Sequence, residues 1–220
     1  MLNFTRPLYE EKEHLMFLCR DNIRGCEAYS TLCLDEGIPD GTFWCGKDEN
    51  GDIRALVFNN GDMDIKITGD NFPPLFSFGE GSVMVYGGSF SEDSSAVSIG
   101  GKKLLDFYRL ISGGKELSFD DERRYVNRLR AVNKGLSGVF CVYDNEKPVA
   151  SAAVTAMNEK YALIGDVFTK EEFRNRGLAS LCLKSAVSFC LRKKRIPVLF
   201  CEERLCGFYE KAGFLYYGKM

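Results

Sequence analysis

The stretch DVFTKEEFRNRGLAS, residues 166–180, decides the fold class of this 220-residue chain. It joins an apolar strand pattern, YALIGDVFT at 161–169, to a long helical pattern with apolar residues on one face. The first N–H groups of such a helix have no partner within the helix, and the helix dipole adds positive potential there. Gly177 allows the main chain to approach a ligand closely, and Arg174 and Arg176 add positive charge. The stretch is therefore a candidate cradle for a pyrophosphate.

A second motif, FYEKAGF at 208–214, follows about 30 residues later. Gly213 fits the position just after a helix end, where a left-handed backbone favours glycine, and aromatic residues flank the turn. Together the two motifs resemble the GNAT superfamily of acetyl-CoA-dependent N-acetyltransferases, over roughly residues 95–220. The resemblance is to the superfamily and indicates no subfamily.

The hydrophobic periodicities of the second half predict two helices, three antiparallel strands, then helix, strand, helix and strand. This order predicts an α/β protein with a mixed sheet. The resemblance implies the GNAT acyl-CoA N-acyltransferase fold for a domain at 91–220.

The resemblance also implies acetyl-CoA as co-substrate. The backbone of the strand end would bind the pantetheine arm, an N–H near Thr169 would polarise the thioester carbonyl, and the amides of the following loop and helix would hold the pyrophosphate. The residues so assigned are Val167, Phe168, Thr169, Arg174, Asn175, Arg176, Gly177, Leu178, Ala179 and Ser180.

Tyr209 matches the tyrosine that in many members of the superfamily protonates the departing CoA thiolate. A phenol is a weak acid that can reach a sulfur atom, so the assignment is chemically sound. A core tyrosine that hydrogen-bonds the backbone is the alternative. The resemblance implies direct attack by the amine on the thioester, with no covalent enzyme intermediate.

Two positions depart from the superfamily pattern. Leu163 occupies the place of the glutamate that often serves as general base, and strand alternation puts Asp166 on the opposite face from Leu163. The base is then either absent, supplied by Tyr161 or Glu202 as weak candidates, or replaced by a water chain. Glu202 also stands where an asparagine is common. Contact of its carboxylate with the acceptor amine is one interpretation, and a cap on the next helix is the one we favour.

The first half, residues 1–90, shows two helical patterns followed by strands, which is the opening order of the second half. It has no cradle motif, so we interpret it as a degenerate, partial GNAT-like domain. Residues 1–110 contain 10 Lys/Arg against 18 Asp/Glu, whereas residues 111–220 contain 19 against 13. The basic half is thus the half predicted to bind an anion.

Composition excludes several classes of protein. The isoelectric point of about 5.6 argues against general nucleic-acid binding. No apolar run reaches the roughly 20 residues needed to span a membrane. Nine scattered cysteines with no C-x-x-C and a single histidine predict reduced core thiols, no metal site and a cytoplasmic location.

Three functions remain open from sequence, the last being a structural or interaction domain that acetyl-CoA does not stabilise. The first is transfer of an acetyl group from acetyl-CoA to a primary amine of a small molecule or a peptide. The second is a non-catalytic GNAT fold that holds acyl-CoA as a sensor or partner domain, which the leucine at position 163 keeps open. No motif identifies the acceptor or an oligomeric state.

Overall fold

The structure is a computed structural model that describes residues 3–39, 42–59, 64–68, 81–88, 96–114 and 116–219, with only the backbone at 64–68 and 120. The chain divides into two compact units. The first contains Met1–Gly79 and Met157–Tyr161, and the second contains Glu80–Ala156 and Ala162–Met220. The predicted boundary between residues 90 and 91 lies outside the described residues.

The first unit is a four-stranded antiparallel sheet with two helices, and its strands follow chain order, β1-β2-β3-β4. Its elements are β1 (Asn3–Thr5), α1 (Lys12–Cys19), α2 (Cys26–Leu34), β2 (Phe43–Lys47), β3 (Ile53–Asn59) and β4 (Asp64–Thr68). Fully buried residues of both helices, including Leu15 and Leu32, pack with Phe43 and Leu56 from the sheet. Burial of these apolar side chains stabilises the unit.

The segment Met157–Tyr161 belongs to the first unit through buried hydrogen bonds. The Asn158 side-chain amide donates to the carbonyl oxygens of Cys19 and Asn22, each at 2.8 Å. The Ser30 hydroxyl donates to the Met157 carbonyl and accepts from the Met157 N–H, both at 2.8 Å. These bonds satisfy polar groups that would otherwise be buried at a cost.

The second unit contains a seven-stranded sheet in the order β11-β5-β10-β9-β8-β7-β6. The elements in chain order are β5 (Ser82–Tyr86), β6 (Val97–Ile99), α3 (Lys103–Ile111), α4 (Phe119–Asn133), β7 (Gly138–Asp144), β8 (Lys147–Met157), β9 (Tyr161–Thr169), α5 (Leu178–Arg192), β10 (Ile196–Cys201), α6 (Cys206–Lys211) and β11 (Phe214–Lys219). The predicted mixed α/β architecture is confirmed.

Strand β5 joins the second unit, although the sequence prediction assigned it to the first domain. It pairs antiparallel with β10 on one side and with β11 on the other. Val83 and Met84 are buried there, so β5 is an inner strand. An apolar strand of five residues can pair wherever an edge is open, and only long-range packing selects this position.

Both units begin with the same order of elements. β1-α1-α2-β2-β3-β4 in the first unit corresponds to β6-α3-α4-β7-β8-β9 in the second. In each, the last three strands are neighbours in chain order. The first half is therefore a partial version of the second, as the sequence predicts.

Local signals in the second unit act as predicted. The Ser118 hydroxyl accepts from the Asp121 N–H at 3.2 Å and the Asp121 carboxylate accepts from the Ser118 N–H at 2.9 Å, which caps α4. Gly135 after α4 and Gly213 after α6 both have positive φ, 69° and 94°. Each glycine ends its helix in the left-handed conformation.

Candidate active site

The candidate pyrophosphate cradle, residues 166–180, runs from the end of β9 through a 3-10 turn at Glu171–Phe173 into the first turn of α5. β9 and β10 are neighbours in the sheet and are joined by α5. Such a helical crossover makes the two strands parallel, so their carboxyl ends, Thr169 and Cys201, lie at one edge. Helix α6 starts just beyond this edge and carries Tyr209.

The N-terminus of α5 is open to an anion. Its N-cap is Gly177, with φ 74°, and no side chain caps the first turn. No acidic residue lies in that turn, and a Cβ placed on Gly177 would find no atom within 4 Å. Leu178, Ala179 and Ser180, the predicted phosphate-binding residues on the helix, supply the first-turn N–H groups. These donors and the helix dipole favour a phosphate group.

The loop before α5 brings two cations beside this turn. The Arg174 Nε donates to the Thr169 carbonyl at 3.3 Å, and the Arg176 Nη2 donates to the Glu172 carbonyl at 2.9 Å. Asn175 between them has φ 62°, a left-handed conformation that asparagine tolerates better than most residues. Both guanidinium groups are therefore held against the loop, where they add positive potential.

Thr169 has a feature that its sequence context does not predict. Its hydroxyl oxygen is buried and has no hydrogen-bond partner among the described residues. An unsatisfied buried hydroxyl costs about 1–3 kcal/mol, so a bound polar group at this strand end would relieve it. The sequence prediction used only the backbone of Val167, Phe168 and Thr169, because a threonine in a strand is by itself unremarkable.

A cavity of about 680 Å³ opens beside the end of β9. Phe168 and Arg174, two of the predicted cofactor-binding residues, line it together with the end of α3, the start of β8 and the turn Glu171–Phe173. Four cationic side chains and three acidic ones face it: Arg109, Lys147, Lys170, Arg174, Asp106, Glu171 and Glu172. Tyr209 does not line this cavity.

Tyr209 lies on α6 and is 7% exposed. Its ring contacts Phe208 and Phe214 edge-on, with centroids 5.0 and 6.0 Å away. Burial, with a smaller contribution from the Cys201 thiol, raises the pKa of Tyr209 to about 12. The hydroxyl therefore keeps its proton at neutral pH and can donate it.

The structure gives each residue discussed as a general base a different environment. Leu163 is buried at 4% exposure, and Tyr161 belongs to the first unit. The expectation that the Glu202 side chain caps a helix is wrong, because its carboxylate binds Arg204 at 2.5 Å in an exposed pair and makes no capping bond. Asp166 has φ 51°, so regular strand alternation, on which its predicted face rests, is interrupted at that residue.

Seven of the nine cysteines are buried, which confirms that most of them lie in the core. Burial raises the pKa of the Cys141 and Cys182 thiols to about 12. In the described parts of the chain, no cluster of three His, Cys, Asp or Glu residues could bind a metal ion. No helix there is both long and apolar enough to cross a membrane.

The model of the acetyltransferase (GNAT) family matches residues 104–214, half of the chain. The chain belongs to the GNAT acetyltransferase family. No curated protein matches the chain.

Solved structures share the fold. A GNAT-family acetyltransferase from Colwellia psychrerythraea matches with a TM-score of 0.67 at 10% identity, over 100% of this chain and 97% of that one. A tandem GNAT protein from the clavulanic acid biosynthesis pathway matches with a TM-score of 0.59 at 12% identity, over 100% and 96%. A putative GNAT-family acetyltransferase from Novosphingobium aromaticivorans matches with a TM-score of 0.52 at 17% identity, over 64% of this chain and 61% of that one. This chain thus covers less than two thirds of the length of that protein. The GNAT fold therefore extends over both units.

Proposed function

We propose that the chain is an N-acetyltransferase that moves an acetyl group from acetyl-CoA to a primary amine of a small molecule or a peptide. The observation that carries the proposal is the N-terminus of α5, which has no side-chain cap, no acid and open space in front of Gly177. Family membership supplies the reaction class. The unpartnered Thr169 hydroxyl supports a ligand at the same strand end.

The residues divide the work as follows. The first-turn N–H groups of α5 hold the pyrophosphate, and Arg174 and Arg176 attract it. The backbone of Val167–Thr169 at the end of β9 orients the pantetheine arm by hydrogen bonds. Acetyl-CoA supplies the activated acyl group when bound. Tyr209 holds a proton at its hydroxyl oxygen for the leaving sulfur.

The first unit has the opening elements of a GNAT domain, but its described residues contain no helix in the place of α5. We propose that it is the degenerate partner of the catalytic unit. Nine free thiols without a disulfide fit a reducing compartment, and we place the protein in the cytoplasm.

Replacing Thr169 by valine tests the cradle with two opposite effects. The variant loses an unsatisfied hydroxyl, so the free protein should be more stable, while acetyl-CoA should bind about 5-fold more weakly because one hydrogen bond is lost. Thermal melting and calorimetric titration measure the two quantities. Tyr143→Phe is a matched control, since its hydroxyl is the other buried orphan among the described residues. Tyr143→Phe should raise stability and leave acetyl-CoA binding unchanged. If Thr169→Val binds acetyl-CoA as tightly as the wild type, the Thr169 hydroxyl is not part of the acetyl-CoA site.

Replacing Tyr209 by phenylalanine should lower turnover at least about tenfold and leave acetyl-CoA affinity unchanged, because only the proton donor is lost. The ring contacts with Phe208 and Phe214 remain. Steady-state kinetics with an exposed control, Tyr217→Phe, measure the effect. Undiminished turnover at every pH would remove Tyr209 from the mechanism.

The pH dependence has a defined sign. The protonated form of Tyr209 is the donor, and its raised pKa of about 12 keeps that form present above the ordinary tyrosine value of 10. Turnover should therefore show no alkaline decline due to Tyr209 below about pH 10. A decline centred near pH 8 that disappears in Tyr209→Phe would contradict the raised pKa of Tyr209.

A non-catalytic acyl-CoA-binding protein is the second candidate, and the buried Leu163 at the usual base position favours it. An assay of thiol release from acetyl-CoA with a panel of amines separates the two. Release above background with any amine establishes transfer, whereas binding without release from any amine favours the sensor. Cys33 and Cys206 are partly exposed, so a blank with protein alone corrects for their reaction with the thiol reagent.

A further inference from the structure

Asp166 stands one residue before the predicted pantetheine-binding segment and has an unusual backbone. Its φ of 51° lies in the left-handed region, within a strand whose other residues are extended. A residue with a Cβ pays about 1–2 kcal/mol for this conformation. Such strain persists only where the surrounding structure holds it in place.

Two neighbours hold Asp166 from different elements. The Ser151 hydroxyl on β8 donates to the Asp166 carbonyl oxygen at 2.9 Å. The Arg128 Nη2 on α4 donates to the Asp166 Oδ2 at 3.1 Å. Main chain and side chain of the same residue are thus fixed, so contacts rather than a glycine hold the left-handed conformation at position 166.

Arg128 is itself held by the sheet. Its Nη1 donates to the Val154 carbonyl at 3.2 Å and lies 3.4 Å from the Ser137 hydroxyl oxygen, which in turn donates to the same carbonyl at 2.6 Å. The Arg128 side chain is 13% exposed and that of Asp166 is 29% exposed. The planar guanidinium therefore connects α4, β8 and β9 through bonds of fixed direction.

We propose that Arg128 and Asp166 form a positioning pair that sets the course of β9 beyond residue 166 and so aims the backbone of Val167–Thr169 at the pantetheine arm. The part of the proposal that concerns the ligand rests on the proposed function. A partly buried ion pair contributes little net stability compared with an apolar pair of similar size, but it fixes geometry. Here it fixes the residue directly before the segment that needs orientation.

The experiment compares Arg128→Met and Asp166→Ala, singly and together, with Val139→Ala in the full chain. Val139 is fully buried in the core of the second unit, so the control lowers stability without touching the pair. Hydrogen exchange of residues 167–169 in the free protein reports the course of the strand. Calorimetric titration with acetyl-CoA reports its consequence for binding.

Exchange at 167–169 should rise about tenfold in each pair variant and stay unchanged in Val139→Ala at temperatures where all variants are folded. Acetyl-CoA affinity should fall about tenfold in each single variant, and no further in the double variant, because the two residues act as a unit. Wild-type exchange at 167–169 in both single variants would overturn the proposal. So would a loss of affinity in Val139→Ala as large as in the pair variants.

Acetyl-CoA binding and the effect of the Arg128–Asp166 pair on β9 are tested by separate outcomes. A wild-type chain that does not bind acetyl-CoA at millimolar concentration contradicts the proposed function, and the exchange data still decide whether the pair sets the strand. Raised exchange with unchanged affinity shows a pair that orders β9 without serving the ligand, which overturns the positioning role.

Discussion

A fragment that begins at Ala96 is expected not to fold, whereas a fragment that begins at Glu80 gives a cooperative unfolding transition. The two differ by β5, which lies between β10 and β11 and is registered with both. Its loss removes the backbone pairing of two strands and exposes the surfaces that cover Val83 and Met84. The lost backbone pairing and the lost apolar burial together cost on the order of 10 kcal/mol, which is comparable to the whole free energy of unfolding of a domain.

Circular dichroism and thermal melting of the two fragments measure this effect. Both lack residues 1–79, so the comparison isolates residues 80–95. A peptide of residues 80–95 added to the shorter fragment should restore part of the folded signal. A cooperative transition of the Ala96 fragment alone would show that the sheet closes without β5.

Replacement of Gly177 by aspartate is expected to abolish acetyl-CoA binding while the protein remains folded. The new carboxylate can cap the first turn of α5, which offsets the strain of a side chain at φ 74°. It also places a negative charge where the pyrophosphate binds. Like charges about 4 Å apart repel by about 4 kcal/mol near a protein surface, so affinity should fall at least about 100-fold.

Gly101→Asp is the matched control for this variant. Gly101 also has a positive φ, 56°, with no atom within 4 Å of an added Cβ, and it precedes α3 rather than α5. It should suffer the same backbone strain and bind acetyl-CoA like the wild type. Retained micromolar affinity in Gly177→Asp, measured by calorimetry, would mean that the anion binds elsewhere.

Local signals made much of the second unit predictable. The stretch 166–180 predicts its own strand, loop and helix because apolar periodicity, an uncapped helix start and Gly177 act over a few residues. The capping box at Ser118 and the glycine after α6 are equally local, and the structure confirms both.

Strand pairings and backbone conformations that depend on residues distant in sequence were not predictable. The insertion of β5 follows from pairing with strands more than 100 residues away. The left-handed conformation of Asp166 depends on Arg128 and Ser151, so the alternation rule could not include it. The Glu202 carboxylate binds the Arg204 side chain instead of the backbone N–H groups of the next helix. Both partners are local, and helix-capping propensity does not decide between them.

The central claim is that acetyl-CoA binds along the end of β9 and at the N-terminus of α5. Amide chemical shifts of ¹⁵N-labelled protein titrated with acetyl-CoA test it residue by residue. The largest shifts are predicted at Val167–Thr169 and at Asn175–Ser180, with the amides of β2 and β3 unaffected. Shifts confined to other parts of the chain, or none at millimolar acetyl-CoA, would contradict the claim.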